Sequence, residues 1–233
     1  FGVEQVLKQS ILGTVAELYA HAQNLETTPS VAELKEIMKK AITLDKFIFY
    51  NNSYLVSVFR PNTYTEMDTS PYIETEFYKK LNVSNEYEND FLEDTIASYE
   101  NFIRFLTSNE SSIDHTYIWD MITDDNPLFI KGGINLVIIE ITNNDITDNI
   151  KVLCPTNSNK RIYDPRKETA ILIKRDEFYE PIYIYKETGG KIQKTPTFYT
   201  QTPLKNIKKL LIIIDKNLNS KCSSLPSNPK TYQ

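Results

Sequence analysis

Residues 134–142 read INLVIIEIT, and three blocks of the same kind follow: NIKVLCP (149–155), TAILIKRD (169–176) and FYEPIYIYKE (178–187). Each is a short run of β-branched or aromatic residues closed off by Asn, Asp, Pro or Gly, the pattern of buried strands. The chain upstream repeats on a different period. Leu7, Ile11, Val15, Leu18 and Ala22 recur at three- and four-residue steps and predict a helix over 3–25. Ser30 and Glu33 form the capping-box spacing that opens a second helix, 31–42, with Leu34, Ile37, Met38, Ala41 and Ile42 on one face. Phe91, Leu92, Thr95, Ile96, Tyr99, Phe102, Ile103 and Leu106 mark a third helix, 91–107.

Asp114 is a cap for a short helix carrying Tyr117, Ile118, Met121 and Ile122. Thr202-Pro203 opens a final one, 203–217, burying Ile207, Leu210, Leu211, Ile214 and Leu218. Between the second and third helices, Tyr54–Phe59 reads as a strand. Residues 61–90 read as a polar loop with one helix near Glu74–Leu81. Helices, then strands, then a closing helix define an α+β class, with N-terminal helices packed on a mostly antiparallel C-terminal sheet. One domain over 1–220 is expected, with 221–233 a Ser-, Pro-, Lys- and Asn-rich tail or linker.

Composition narrows the chemistry. The 233 residues are 40% hydrophobic and 24% charged, ordinary for a globular domain, and a net charge of −5 argues against nucleic acid as a partner. Six glycines leave little material for phosphate loops. No run approaches the roughly 20 apolar residues of a membrane span, so no membrane partner is expected. Phe1 in place of an initiator Met reads as the start of a piece of a longer parent chain. Cys154 and Cys222 are too few for a disulfide framework or a zinc site. Cys154 reads as a small buried thiol at a strand end and Cys222 as incidental, which fits a reducing, intracellular compartment. The three Asn-x-Ser sequons at Asn51, Asn82 and Asn109 are what an Asn- and Ser-rich chain produces by chance.

Candidate catalytic groups are few. His21 and His115 are the only histidines. The first lies near a helix end, where the dipole favours it, and the second in a first turn, where a solvated position is expected. Asp124-Asp125 and Asn143-Asn144-Asp145 lack calcium-loop spacing and read as turns, as does Gly132-Gly133. Glu140 and Glu168 head or line strands in a carboxylate-and-lysine setting, without an identifiable acidic partner. No metal and no cofactor is expected. Tyr179, Tyr183 and Tyr185 alternate and so share one side of a strand, either as core or as an aromatic contact surface. Lys205, Lys208, Lys209 and Lys216 lie opposite the last helix's apolar stripe and read as a solvated face, with phosphate contact the other reading.

The order of these elements, with IWDMI (118–122) ahead of GGINLVIIEI (132–141) and ILIKRDEFYEPIY (171–183) near the end, resembles the ovarian-tumour (OTU) family of ubiquitin proteases. That resemblance implies a papain-like fold. The family's Asp-Gly-Asn-Cys segment aligns with Gln9-Ser10-Ile11-Leu12, placing Ser10 in the cysteine slot, and its His-Tyr pair aligns with Phe178-Tyr179. Phe178 has no proton to exchange, so the resemblance implies a peptidase scaffold without catalysis. The segment INLVIIEITNNDIT with CPTN, YDPRK and YEPIY is also similar to uncharacterised proteins of large DNA viruses. The expected function is therefore a non-catalytic interaction domain of a larger viral protein. It would bind a protein partner, ubiquitin-like by the resemblance, through Ser10, Phe178, Tyr179, Tyr183 and Tyr185, and Ser10 should lie close to Phe178. One alternative is an active peptidase on ubiquitin conjugates with Cys154 or Ser10 as nucleophile; the other is a structural module of a virion or enzyme assembly.

Overall fold

The computed structural model describes residues 3–63, 67–142, 150–155, 163–202 and 204–222. The N-terminal half is helical: α1 (Ser10–Ala22), α2 (Val31–Ala41), α3 (Leu44–Phe47), α4 (Tyr54–Val58), α5 (Glu76–Lys80), α6 (Glu86–Thr107) and α7 (His115–Thr123). Strands β1 (Asn135–Ile141), β2 (Ile150–Leu153), β3 (Thr169–Arg175), β4 (Phe178–Pro181), β5 (Ile184–Thr188), β6 (Lys191–Thr195) and β7 (Thr197–Phe198) follow, and α8 (Lys205–Lys221) closes the chain. The class is α+β, as the periodicities predict.

Three expected helices have different bounds: α6 begins at Glu86, where the Asn85 side chain caps it, rather than at 91, and α1 and α8 differ as well. α1 is shorter than 3–25 because Lys8 (φ 64°) and Asn24 (φ 52°) take left-handed backbone at either end. The segment before it crosses α1 at Gly13, where a Cβ would lie 1.9 Å from the Glu4 carbonyl oxygen. α8 begins at Lys205 with Leu204 as its cap and runs on to Lys221; Thr202 accepts the Leu204 amide, and Pro203 lies outside the described residues. α2 has the expected capping box, with the Ser30 hydroxyl accepting the Glu33 amide and the Glu33 carboxylate accepting the Ser30 amide.

The strand expected at Tyr54–Phe59 is the helix α4 instead. Asn51, Asn52 and Ser53 are left-handed in succession (φ 50°, 54° and 68°), and the buried Asp120 carboxylate accepts the Asn51 amide at 2.5 Å. This reversal delivers the chain as a helix that buries Leu55 and leaves Tyr54 and Val58 exposed. Leu55, Val56 and Phe59 meet the core from one side of this helix, so the apolar residues that read as a strand serve a helical face.

The main sheet has the order β2-β1-β3-β4, with β7 also pairing β3. Three of its pairings are antiparallel, but the central one, β1 with β3, is parallel, so the sheet is mixed rather than a meander. Parallel central strands are covered on both faces, which explains why LVIIEI and AILIK read as near-continuous apolar runs. Leu136, Ile138, Ala170, Leu172 and Tyr179 face a large core with α1, α2, α6 and α7. Val137 and Ile171 face the other way, into a smaller core with Tyr163, Phe198 and Leu211, Ile214 and Leu218 of α8. The sheet thus lies between two helical layers.

β5 and β6 do not join it. They pair with each other as a separate hairpin whose two-residue turn, Gly189-Gly190, needs positive φ at both positions (61° and 75°). The single strand expected over 178–187 is therefore broken after Pro181. Its first part belongs to the main sheet and its second to the hairpin.

Candidate functional site

The start of α1 meets β4 at Ser10 and Tyr179. Ser10 opens α1 and is buried, and its hydroxyl accepts the Tyr179 amide of β4 at 2.9 Å, which brings the helix start to the residue after Phe178. A second link, Thr14 Oγ1 to the Tyr179 carbonyl at 3.2 Å, fixes α1 along the strand. The Ser10 proton goes to Gln5 Oε1 at 2.6 Å. An amide oxygen is no general base, and a buried hydroxyl bonded on both sides is structural in character.

The histidine that lies nearby is His115, not a residue of the strand. Its Nδ1 bonds Tyr179 Oη at 2.8 Å. Burial pushes the His115 pKa down, and burial followed by the nearby Asp114 pushes the Tyr179 phenol up, so the bond joins two neutral groups. His115 is therefore half-buried and engaged, contrary to the expected solvated position, because α7 packs its first turn against β4. Glu140 and Lys174 stand opposite each other on β1 and β3 and pair directly. The Lys174 hydrogen bond holds the Glu140 carboxyl below its usual range.

A second polar cluster joins parts of the chain that sequence reading kept separate. Thr197 Oγ1 donates to Glu168 at 2.7 Å and lies 3.0 Å from His21 Nε2, which is itself 3.5 Å from the Glu168 carboxylate. With its proton on Glu168, the Thr197 oxygen accepts from His21, so His21 is a donor here and not a base for Thr197. The His21 hydrogen bond, with bonds from Tyr199 and Thr197, lowers the Glu168 pKa to about 2. The cluster borders a cleft of about 450 Å³ lined by His21, Ile130, Lys131, Lys167, Glu168 and Tyr199. Glu168 was legible as an acid heading a strand; its partners, 147 and 29 residues away by number, were not.

The cysteines correct the sequence reading outright. Cys154, just after β2, and Cys222, at the end of α8, form a disulfide with Cα atoms 5.5 Å apart. Neither is a free thiol, Cys222 is not incidental, and the reducing compartment inferred from unpaired cysteines loses its basis. Neither sulfur is available as a nucleophile in this state.

The expected binding residues divide. Ser10 and Tyr179 are buried and belong to the α1–β4 contact. Phe178 is 48% exposed and Tyr185 53% exposed. Tyr183 is half-buried under Lys194, whose Nζ lies 5.0 Å from the ring centroid, and its ring is 5.9 Å from that of Tyr185. The three tyrosines do not share a face of one strand, because the strand ends at Pro181. Asn143-Asn144-Asp145 lies outside the described residues. Among the described residues no group of three or more His, Cys, Asp or Glu side chains is arranged to hold a metal ion, and no helix is long and apolar enough to cross a membrane.

Compared with known protein families, with curated proteins and with solved structures, the chain matches none of them.

Proposed function

We propose that this chain is a non-catalytic protein-interaction domain on a peptidase-like, OTU-like scaffold, of the kind carried within larger viral proteins. The observation that carries the reading is the state of the possible nucleophiles. Ser10 is bonded to Gln5 and to the Tyr179 amide, and both cysteines are spent on one disulfide. Nucleophilic catalysis needs a base within reach of the hydroxyl or thiol, and the base slot holds Phe178. The contact surface in this reading is the hairpin face with Tyr185 and Ile192, the latter 68% exposed, together with Tyr183 just ahead of β5 and Phe178 on β4. Aromatic and large aliphatic side chains held rigidly on a hairpin are what interface centres use. A ubiquitin-like partner follows from the family resemblance alone.

The test has two arms. Fluorogenic ubiquitin and ubiquitin chains should not be cleaved, and cleavage lost on Ser10→Ala would overturn the non-catalytic reading. Titration with ubiquitin should give saturable binding that weakens at least about tenfold in Tyr185→Ala/Ile192→Ala, the loss of one interface hot spot. Binding indifferent to that double variant would remove the hairpin from the proposal.

A further inference from the structure

The outer face of α8 carries a pattern that the fold does not use. Leu211, Ile214 and Leu218 point into the small core. On the opposite side, Lys205, Lys208, Lys209, Ile212, Ile213 and Lys216 recur at the three- and four-residue steps that make one helical face. The four lysines are exposed, and Ile212 and Ile213 are 58% and 56% exposed in their midst. No ion pair engages these lysines among the described residues. The helix's one acid, Asp215, acts on the buried Tyr163 on the inner side. Among the described residues these four cations have no acidic partner, on a chain whose net charge is −5.

We propose that this face is a docking surface for a bilayer rich in anionic phospholipid. The occupant is argued from charge and shape. The four lysines call for an anionic partner, and two adjacent isoleucines call for an apolar one, a combination that favours a bilayer over the phosphate backbone of a nucleic acid. A helix ridge is convex, so a rigid protein partner would need a matching groove, whereas a bilayer surface yields around it. Lysine stems long enough to reach headgroup phosphates flank isoleucines placed to enter the acyl boundary. The disulfide at Cys222 and the inner apolar stripe hold α8 on the sheet, so the basic face stays outward. This proposal concerns peripheral binding and is independent of the hairpin surface.

The experiment is co-sedimentation of the whole, oxidised chain with phosphatidylserine-containing vesicles and with pure phosphatidylcholine vesicles. The expected result is partition onto the anionic vesicles only, weakening as salt is raised. Each lysine near an anionic surface contributes about fivefold, so Lys208→Ala/Lys209→Ala should lower the partition about 25-fold. Ile212→Ser/Ile213→Ser should weaken it with the charge unchanged. Both pairs are exposed, so unchanged melting temperatures verify the fold, and Tyr185→Ala should leave vesicle binding as it is. No sedimentation with anionic vesicles, equal sedimentation with both kinds, or binding that survives loss of Lys208 and Lys209 would overturn the proposal. Binding to soluble poly-glutamate as tight as to anionic vesicles would also overturn it, in favour of an acidic protein.

Discussion

At the scale of single residues, buried polar side chains hold the fold at defined points. Ser10 joins the start of α1 to β4, and Lys35 and Gln9 together grip the loop after α6. Lys35 Nζ donates to the Ser108 carbonyl at 2.8 Å, and Gln9 Nε2 to the Ser108 and Ser111 carbonyls. Ser10→Ala strands the Tyr179 amide in the core and should cost about 1–3 kcal/mol in a urea titration, the penalty for an unsatisfied buried group. Glu168 sets an acid-sensitive contribution. Its folded pKa of about 2 lies below the ordinary value of 4.5, so its stabilisation is present above about pH 4.5 and is lost as pH falls toward 2. Glu168→Gln should be destabilised by about 1–3 kcal/mol at neutral pH. Compared with the parent chain, it should lose less stability between pH 5 and pH 2; urea midpoints measured across that window decide the matter.

At the scale of elements, the disulfide adds a covalent tie to the apolar stripe that holds α8. It spans 68 residues of sequence and, in the chain-entropy model, a loop of that length is worth up to about 4 kcal/mol. Reduction, or Cys154→Ser, should therefore lower stability by roughly 2–4 kcal/mol. Amide exchange should show the loss first in α8 and β2, with the α1–α2–α6 helices protected for longer. Equal loss of protection across all helices would mean that the two cores unfold as one. The hairpin β5–β6 depends on its turn instead. Gly190→Val places a β-branched residue at a φ of 75°, and should cost about 1–3 kcal/mol with loss of the hairpin's cross-strand nuclear Overhauser contacts.

At the scale of the molecule, the sheet divides two unequal cores, and substitutions on its two faces should differ. Leu172 faces the large core shared with the helical layer, and Ile171 the small one under α8. Leu172→Ala should cost about 3–5 kcal/mol, since surrounding helices cannot collapse into the space. Ile171→Ala should fall nearer 2 kcal/mol, because one helix can shift toward the sheet. Denaturant melts of the two variants provide the comparison. The crossing at Gly13 belongs to this scale too: Gly13→Ala would drive a Cβ into the Glu4 backbone and displace the whole segment ahead of α1.

Local signals were enough for part of this architecture. The α2 capping box, the Asp114 cap, the stripe of α6 and the short apolar runs of β1 and β3 are effects of neighbouring residues on one another, and neighbours are written in the sequence. The resemblance leads to the expectation that Ser10 lies near Phe178-Tyr179, and Ser10 does accept the Tyr179 amide; that Gln5 and His115 are the other hydrogen-bond partners of Ser10 and Tyr179 was not legible. What the sequence could not give were relations between distant segments. The parallel pairing of β1 with β3, the break that sends β5 into a separate hairpin, the His21–Glu168–Thr197 cluster and the Cys154–Cys222 bond each join residues whose separation carries no periodic signal. Burial periodicity records which side of an element meets a core. It does not record which other element supplies that core, and only tertiary packing makes that choice.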